Sequence, residues 1–177
     1  MSWTGWPVLI AITVIVFLGM EGFAWAAHKY IMHGWGWGWH ASHHEEREGL
    51  FEKNDLYAVV FAIFAIILFA ISSFGYPIIA AIATGITLYG VFYFIVHDGL
   101  VHQRWPFRHI PHKGYAKRLV QAHRLHHAVE GKEGCVSFGF LYAPPVDKLA
   151  ATLKERGTVR AERAKEGRRP SPEDRAS

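Results

Sequence analysis

The sequence predicts an all-α integral membrane protein: a bundle of three main transmembrane helices carrying a helical, histidine-rich cap on its cytoplasmic side. Three observations predict it. Residues 6–27, 56–74 and 76–96 form long stretches almost free of charge. All 19 Lys and Arg fall in two regions, 29–53 and from 104 onward. Ten of the 12 His fall into spaced clusters that follow the ends of spans.

The first stretch, WPVLIAITVIVFLGMEGFAWAA, carries one charge, Glu21. It is long enough to cross a hydrocarbon core of about 30 Å. No Lys or Arg precedes residue 29, so the basic region of a signal peptide is missing. The second and third stretches carry no charge, and only Gly75 and its neighbours separate them before Pro77. Joined so tightly, they must form an antiparallel hairpin, with proline in the first turn of its second helix. Three spans with these loops put every basic residue on one side. The positive-inside rule makes that side cytoplasmic and the N-terminus external. Trp3, Trp6, Trp35, Trp37, Trp39 and Trp105 flank the spans as an interfacial aromatic belt would.

Residues 134–149 are apolar but short, and Pro144 and Pro145 interrupt them. They form either a fourth segment, re-entrant or broken, or one lying on the membrane surface. The surface is preferred, because a full crossing would carry the basic tail outside. Residues 1–150 are expected to form the membrane-embedded domain. Residues 151–177 are expected to form a charged tail, a solvated helix fraying into disorder. The net charge of +4 places basic groups beside anionic headgroups and does not call for nucleic acid. Cys135 is the only cysteine, which excludes a disulfide framework and cysteine-rich zinc or iron–sulfur sites. Any metal is then expected to be held by nitrogen or oxygen.

The histidine spacings have geometric meaning. His28/His33 and His97/His102 form H-x4-H; His40/His43/His44 and His123/His126/His127 form H-x2-H-H. On a helix turning about 100° per residue, positions i, i+3 and i+4 share a face. Positions i and i+5 point about 140° apart, so that pair serves one centre only where a helix end unwinds or bulges. Surface or capping histidines explain one such cluster, not four on one membrane face. Ten imidazoles exceed the four ligands of a structural zinc and fit two ions of coordination number five or six. The glycines of GWGWGW (34–39) permit a turn that returns His40–His44 toward His28.

HKYIMHG at 28–34, HxxHHE at 40–45, HDGLVHQRWPF at 97–107, QAHRLHHAVEG at 121–131 and CVSFGFLYAPP at 135–145 resemble the fatty-acid hydroxylase superfamily of non-haem di-iron membrane enzymes. Within it they are most similar to the bacterial carotenoid 3-hydroxylases, over about residues 20–148. The resemblance implies a monooxygenase that hydroxylates carbon 3 of carotenoid β-ionone rings. The products would be β-cryptoxanthin and then zeaxanthin, with canthaxanthin carried on to astaxanthin. It implies two Fe ions, O2 as co-substrate, and electrons from reduced ferredoxin via an NAD(P)H-dependent reductase. Carried over by motif, the metal ligands are His28, His33, His40, His43, His44, His97, His102, His123, His126 and His127. No catalytic residue beyond these is implied.

The residues agree with that picture. No Rossmann glycine fingerprint is present, so reducing equivalents must come from a partner. Arg104, Arg108, Lys113, Lys117 and Arg118 offer a basic face to an acidic donor, or equally to lipid. Asp98, Glu21 and Glu45 are candidates to orient ligating histidines by hydrogen bonds, and for Glu45 and Glu46 a solvated surface is the simpler role. His109 and His112 match neither spacing and are expected outside the site. Two alternatives remain open. One is another di-iron membrane oxygenase: a ketolase, a fatty-acid or sterol hydroxylase, or a desaturase. The other is a His-rich metal transporter or bis-His haem protein, although transporters hold ligands near the bilayer midplane.

Overall fold

The computed structural model describes residues 5–45, 49, 51–106, 109–129 and 131–157. Trp3, Glu46, Arg108 and the tail from residue 158 lie outside the described residues.

Helix α1 (Trp6–Ala26) opens with Pro7 in its first turn and runs without interruption into a π-helical stretch, Ala27–Trp35. The chain bends at Gly34, whose backbone (φ −108°, ψ −122°) is not helical, and resumes as α2 (Trp37–His44). Helix α3 (Asp55–Ser72) and helix α4 (Pro77–Tyr93) form the expected hairpin around Gly75, which adopts φ +97°. Helix α4 also passes into a π-helical stretch, Phe94–Val101. Helices α5 (Gly114–His126) and α6 (Val146–Arg156) complete the cap.

Three continuous helices are long and apolar enough to cross a membrane: Trp6–Trp35, Asp55–Ser72 and Pro77–Val101, with mean hydropathies of 2.2, 2.4 and 2.0. Their outer faces expose Ile10, Ile15, Leu18, Ile63 and Ile66, a surface suited to lipid and too extensive for water. Inside the bundle, α4 packs against both α1 and α3. Small residues permit the close approach of α1 and α4. A Cβ on Gly85 would meet the Thr13 carbonyl oxygen at 2.7 Å and Val16 Cβ at 2.8 Å. Thr13 Oγ1 donates across the interface to the Ala81 carbonyl at 3.1 Å. Association of helices in lipid relies on such packing and hydrogen bonding, because burying apolar surface gains nothing there.

The cap has its own small core of Ala122, Val129, Cys135, Val136, Ala143, Leu149 and Leu153. Helix α6 straddles residue 150, and Leu153 is 1% exposed. Residues 135–145 contain no helix. They form an extended strap across the histidines, with Cys135, Val136, Ser137, Phe140 and Ala143 buried beneath the cap.

Candidate metal centre

The π-helical stretches resolve the awkward i, i+5 spacing. Their hydrogen bonds close at five residues instead of four: His102 N–H donates to His97 O at 2.9 Å, and Gly36 N–H to Ile31 O at 2.8 Å. Residues five apart then lie one turn apart on the same face. His28 and His33 accordingly have ring centroids 5.1 Å apart, and His97 and His102 4.5 Å apart. The bend at Gly34 returns α2 toward α1 as the glycine-rich sequence predicts. It is held there by Tyr57, whose hydroxyl donates to the Gly36 carbonyl at 2.8 Å. A Cβ on Gly36 would meet that hydroxyl at 2.1 Å, so a glycine is needed for the approach.

All ten candidate histidines converge at one end of the bundle. They form two groups of four whose ligand atoms lie within 4.8 Å of one another: His28, His33, His40 and His126, and His43, His102, His123 and His127. His97 stands beside the second group, its Nε2 3.0 Å from that of His43. His44 lies between the groups, its ring 4.4 Å from His127 and 5.0 Å from His126.

The outward nitrogens show what the inward ones can do. His28, His33 and His126 donate from Nδ1 to the carbonyls of Phe138, Lys132 and Val136, at 2.9, 2.9 and 2.8 Å. His40 donates to Asn54 Oδ1 at 2.7 Å, His43 to Glu52 Oε2 at 2.8 Å and His97 to Asp98 Oδ1 at 2.7 Å. In a neutral imidazole whose Nδ1 carries the proton, Nε2 is a bare acceptor. Yet Nε2 of His28 faces Nε2 of His40 at 3.0 Å, and His33 faces His126 at 3.1 Å. The His43–His97 pair repeats the arrangement. Three pairs of lone pairs thus converge with no proton between them, an arrangement that a shared cation satisfies. Nitrogens about 2.1 Å from one ion lie about 3.0 Å apart at right angles and about 3.4 Å apart at the tetrahedral angle. Spacings of 3.0–3.1 Å therefore place each pair within reach of a single ion.

Burial keeps these rings neutral. It holds His43, His123 and His126 well below the usual imidazole value. It lowers His40 to about 4, His44 to about 3 and His127 to about 2, with neighbouring imidazoles adding to the effect. Neither nitrogen of His44 has a partner in hydrogen-bonding geometry. Cys135, which matches no ligand spacing, brings its thiol beside His44 and His126. Burial pushes that thiol up to about 11, and it forms part of the cap core with Ala122 and Val136.

Of the acidic candidates, Asp98 holds His97 and also pairs with Arg104 at 3.3 Å. Glu45 is exposed at the mouth of a polar cavity of about 290 Å³, beside His43, His102 and His127. Glu21 makes its hydrogen bonds to Tyr89 and to the strap backbone rather than to a histidine. His109 and His112 are exposed and away from the cluster. Arg104 is not free for a partner as expected: Asp55 grips it at 2.7 and 2.8 Å. Arg118 bonds to the carbonyls of Ala143 and Pro144, leaving Lys113 and Lys117 exposed. Sequence reasoning missed Glu52 and Asn54. Both lie in the loop that returns to α3, and a polar pair just ahead of a charge-free span was the available signal.

The fatty acid hydroxylase family matches residues 13–152 of the chain, the span that holds all ten histidines. The chain belongs to this family. It is 63% identical to the beta-carotene hydroxylase of Pantoea ananas over 94% of this chain and 93% of that protein. It is 60% identical to the beta-carotene hydroxylase of Paracoccus sp. (strain PC1), over 86% of this chain and 93% of the other. A chloroplastic beta-carotene 3-hydroxylase of Haematococcus lacustris is 45% identical over 72% of this chain and 41% of its own length. No solved structure matches. Family membership and the imidazole donor set together indicate an iron centre.

In this member of the family, an apolar cavity of about 520 Å³ lies between α1, α3 and α4. Its lining runs along α3 from Tyr57 to Phe69, about 18 Å at 1.5 Å per residue. Ala58, Ala62 and Ala65 keep it open; Tyr93, Asp98 and Phe140 close it at the histidine end. Tyr93 stacks on His97 at 4.6 Å and Phe140 on His28 at 4.9 Å, so these two aromatic rings separate the cavity from the histidines.

Proposed function

We propose that the chain hydroxylates carbon 3 of the β-ionone rings of membrane-dissolved carotenoids, such as β-carotene, at a centre of two irons. The observation that carries this reading is the apolar cavity, which runs along the spans and ends at the Tyr93 and Phe140 rings that stack on His97 and His28. A ring and part of a polyene fit its length, with the rest of the molecule left in lipid. The cavity has neither lysine nor arginine in its lining among the described residues, and its one charged group is Asp98. A carboxylate-headed chain drawn to its end would bury an unpaired charge beside another of the same sign, whereas a hydrocarbon ring meets no such cost. The names of the relatives agree with a carotenoid.

His28, His33, His40 and His126 would hold one iron, and His43, His102, His123 and His127 the other. His44 and His97 are the remaining donors beside each. Two irons so held would supply the activation of dioxygen that an unreactive C–H bond requires. The protein does the rest. Glu52, Asp98, Asn54 and the carbonyls of Lys132, Val136 and Phe138 keep Nδ1 protonated and Nε2 turned inward on His43, His97, His40, His33, His126 and His28. Phe140 and Tyr93 form the apolar end wall that seats the ring and excludes water. We infer reduction by a ferredoxin and its NAD(P)H-dependent reductase on the histidine side, where Lys113 and Lys117 stand exposed to an acidic donor.

Expression in cells that accumulate β-carotene, followed by pigment chromatography, tests the reaction. Mono- and then dihydroxylated rings are expected; unchanged β-carotene, or a ketone product, would refute it. We also infer an inner-membrane topology with the N-terminus outside and the histidines facing the cytoplasm, supported by the one-sided basic residues. A reporter active only in the periplasm should report at Gly75 and stay silent at Gly131.

A further inference from the structure

Glu21 sits within the first span, at the level where the strap crosses the bundle. Its Oε1 accepts the backbone N–H groups of Phe140, Leu141 and Tyr142 at 3.0, 3.1 and 2.9 Å. Its Oε2 accepts the Tyr89 hydroxyl at 2.7 Å and the Leu141 N–H again at 3.0 Å. The fit is close: a Cβ on Gly139 would meet Oε1 at 2.7 Å. Three consecutive amides of a non-helical segment therefore have one side chain as their common acceptor.

What the strap carries makes this contact selective. The Phe138 carbonyl receives His28 Nδ1, the Val136 carbonyl receives His126 Nδ1, and the Phe140 ring stacks on His28. Both hydrogen-bonded histidines belong to the group completed by His33 and His40. In the other group, His43 is held by Glu52. The adjacent His97 is held by Asp98, and the strap reaches this side only through the Phe140 ring, 5.4 Å from the His97 ring and 6.5 Å from that of His123, with no hydrogen bond.

We propose that Glu21 is a positioning residue that sets the geometry of the His28/His33/His40/His126 group through the strap, leaving the other group to its own carboxylates. The proposal rests on the reading that both groups hold metal. A residue that merely supports the fold would affect the two groups alike, so the test must resolve them.

The probe is Co(II), titrated anaerobically against a competing chelator into full-length protein in detergent, with visible absorption recorded for each ion bound. Wild type should bind two Co(II). Glu21→Ala should weaken one site about 10-fold, the lower end of the loss expected when support for a ligand is removed. It should alter the absorption of that site and leave the other unchanged. Glu52→Gln should weaken the opposite site. Glu21→Gln keeps one oxygen for the three amides but loses the charge and the second acceptor, and should weaken the same site by a smaller factor than Glu21→Ala. Equal weakening of both sites, or no change at either, overturns the proposal. If Glu21→Ala does not accumulate in membranes, Glu21→Gln decides: a loss confined to one site supports the proposal, while a shared loss or none refutes it. Wild type that binds no Co(II) would sink the metal reading and the proposal with it.

Discussion

Behind His28, His33 and His126 stand backbone carbonyls, and behind His40 an uncharged amide; behind His43 and the neighbouring His97 stand carboxylates. The first group is sealed by the strap. The second borders the polar cavity that Glu45 and Arg124 line. The difference teaches that one cluster of similar ligands is built as two unlike environments. A carboxylate raises the basicity of the imidazole it holds and adds negative charge, favouring a more positive ion than a carbonyl does. His43 and His97 are therefore the more electron-rich donors, and the second group is the nearer to polar reactants. The first is the better screened, and Phe140 ties it to the apolar cavity.

The strongest way to break this comparison is to remove one ligand from each side. His126→Ala and His43→Ala are each expected to abolish hydroxylation, a loss beyond the roughly 10–100-fold typical of the residues that hold ligands. His109→Ala and His112→Ala should retain most activity. Pigment yield normalised to membrane abundance is the measurement, since losing metal also destabilises a metal-dependent fold. A His43→Ala variant with full activity would contradict the role assigned to the second group.

A smaller effect sharpens the comparison. Glu52→Gln and Asp98→Asn remove the charge but leave groups that still accept from Nδ1. Each should cost about 10–100-fold in turnover. Asn54→Asp places a carboxylate behind His40 and makes the first group resemble the second. It should lower the reduction potential of the iron there while leaving metal stoichiometry unchanged. Potentiometric titration of the purified variants reads this directly, and a rise in potential would reverse the electrostatic account.

The span hydropathy and the four histidine clusters were legible because each depends on residue type and spacing alone. The π-helical stretches were half legible. The i, i+5 spacing required a helix end that departs from α geometry, but nothing in HKYIMHG or HDGLVH says which departure. The supports for the ligands divide by chemistry. Asp98, adjacent to His97, was visible in the sequence. The carbonyls of Lys132, Val136 and Phe138 were not, since every residue has one. Glu21 drew notice as a charge within a span, yet its partners are strap amides more than a hundred residues away. The strap itself read as an apolar segment broken by prolines. Its place across the histidines depends on contacts that no local pattern encodes.

The smallest expected effect concerns pH. Burial lowers His40 to about 4, His44 to about 3 and His127 to about 2. An unfolded histidine titrates near 6.5, so the unfolded chain takes up protons first as the pH falls. The stability contributed by these neutral rings is complete above about pH 6.5 and declines as the pH drops toward 4. Thermal unfolding in detergent from pH 8 to 5 should show a flat region, then a decline beginning near 6.5. Stability that rises on acidification would mean that the rings are not buried as neutral donors.

The central claim is that the histidines form two distinct metal sites. Mössbauer spectroscopy of anaerobically purified protein loaded with iron-57, with iron counted per chain, tests it most directly. Two irons giving two quadrupole doublets of equal area are expected, one for each environment. One iron per chain, a haem absorption band, or a single symmetric doublet from two equivalent irons would contradict it.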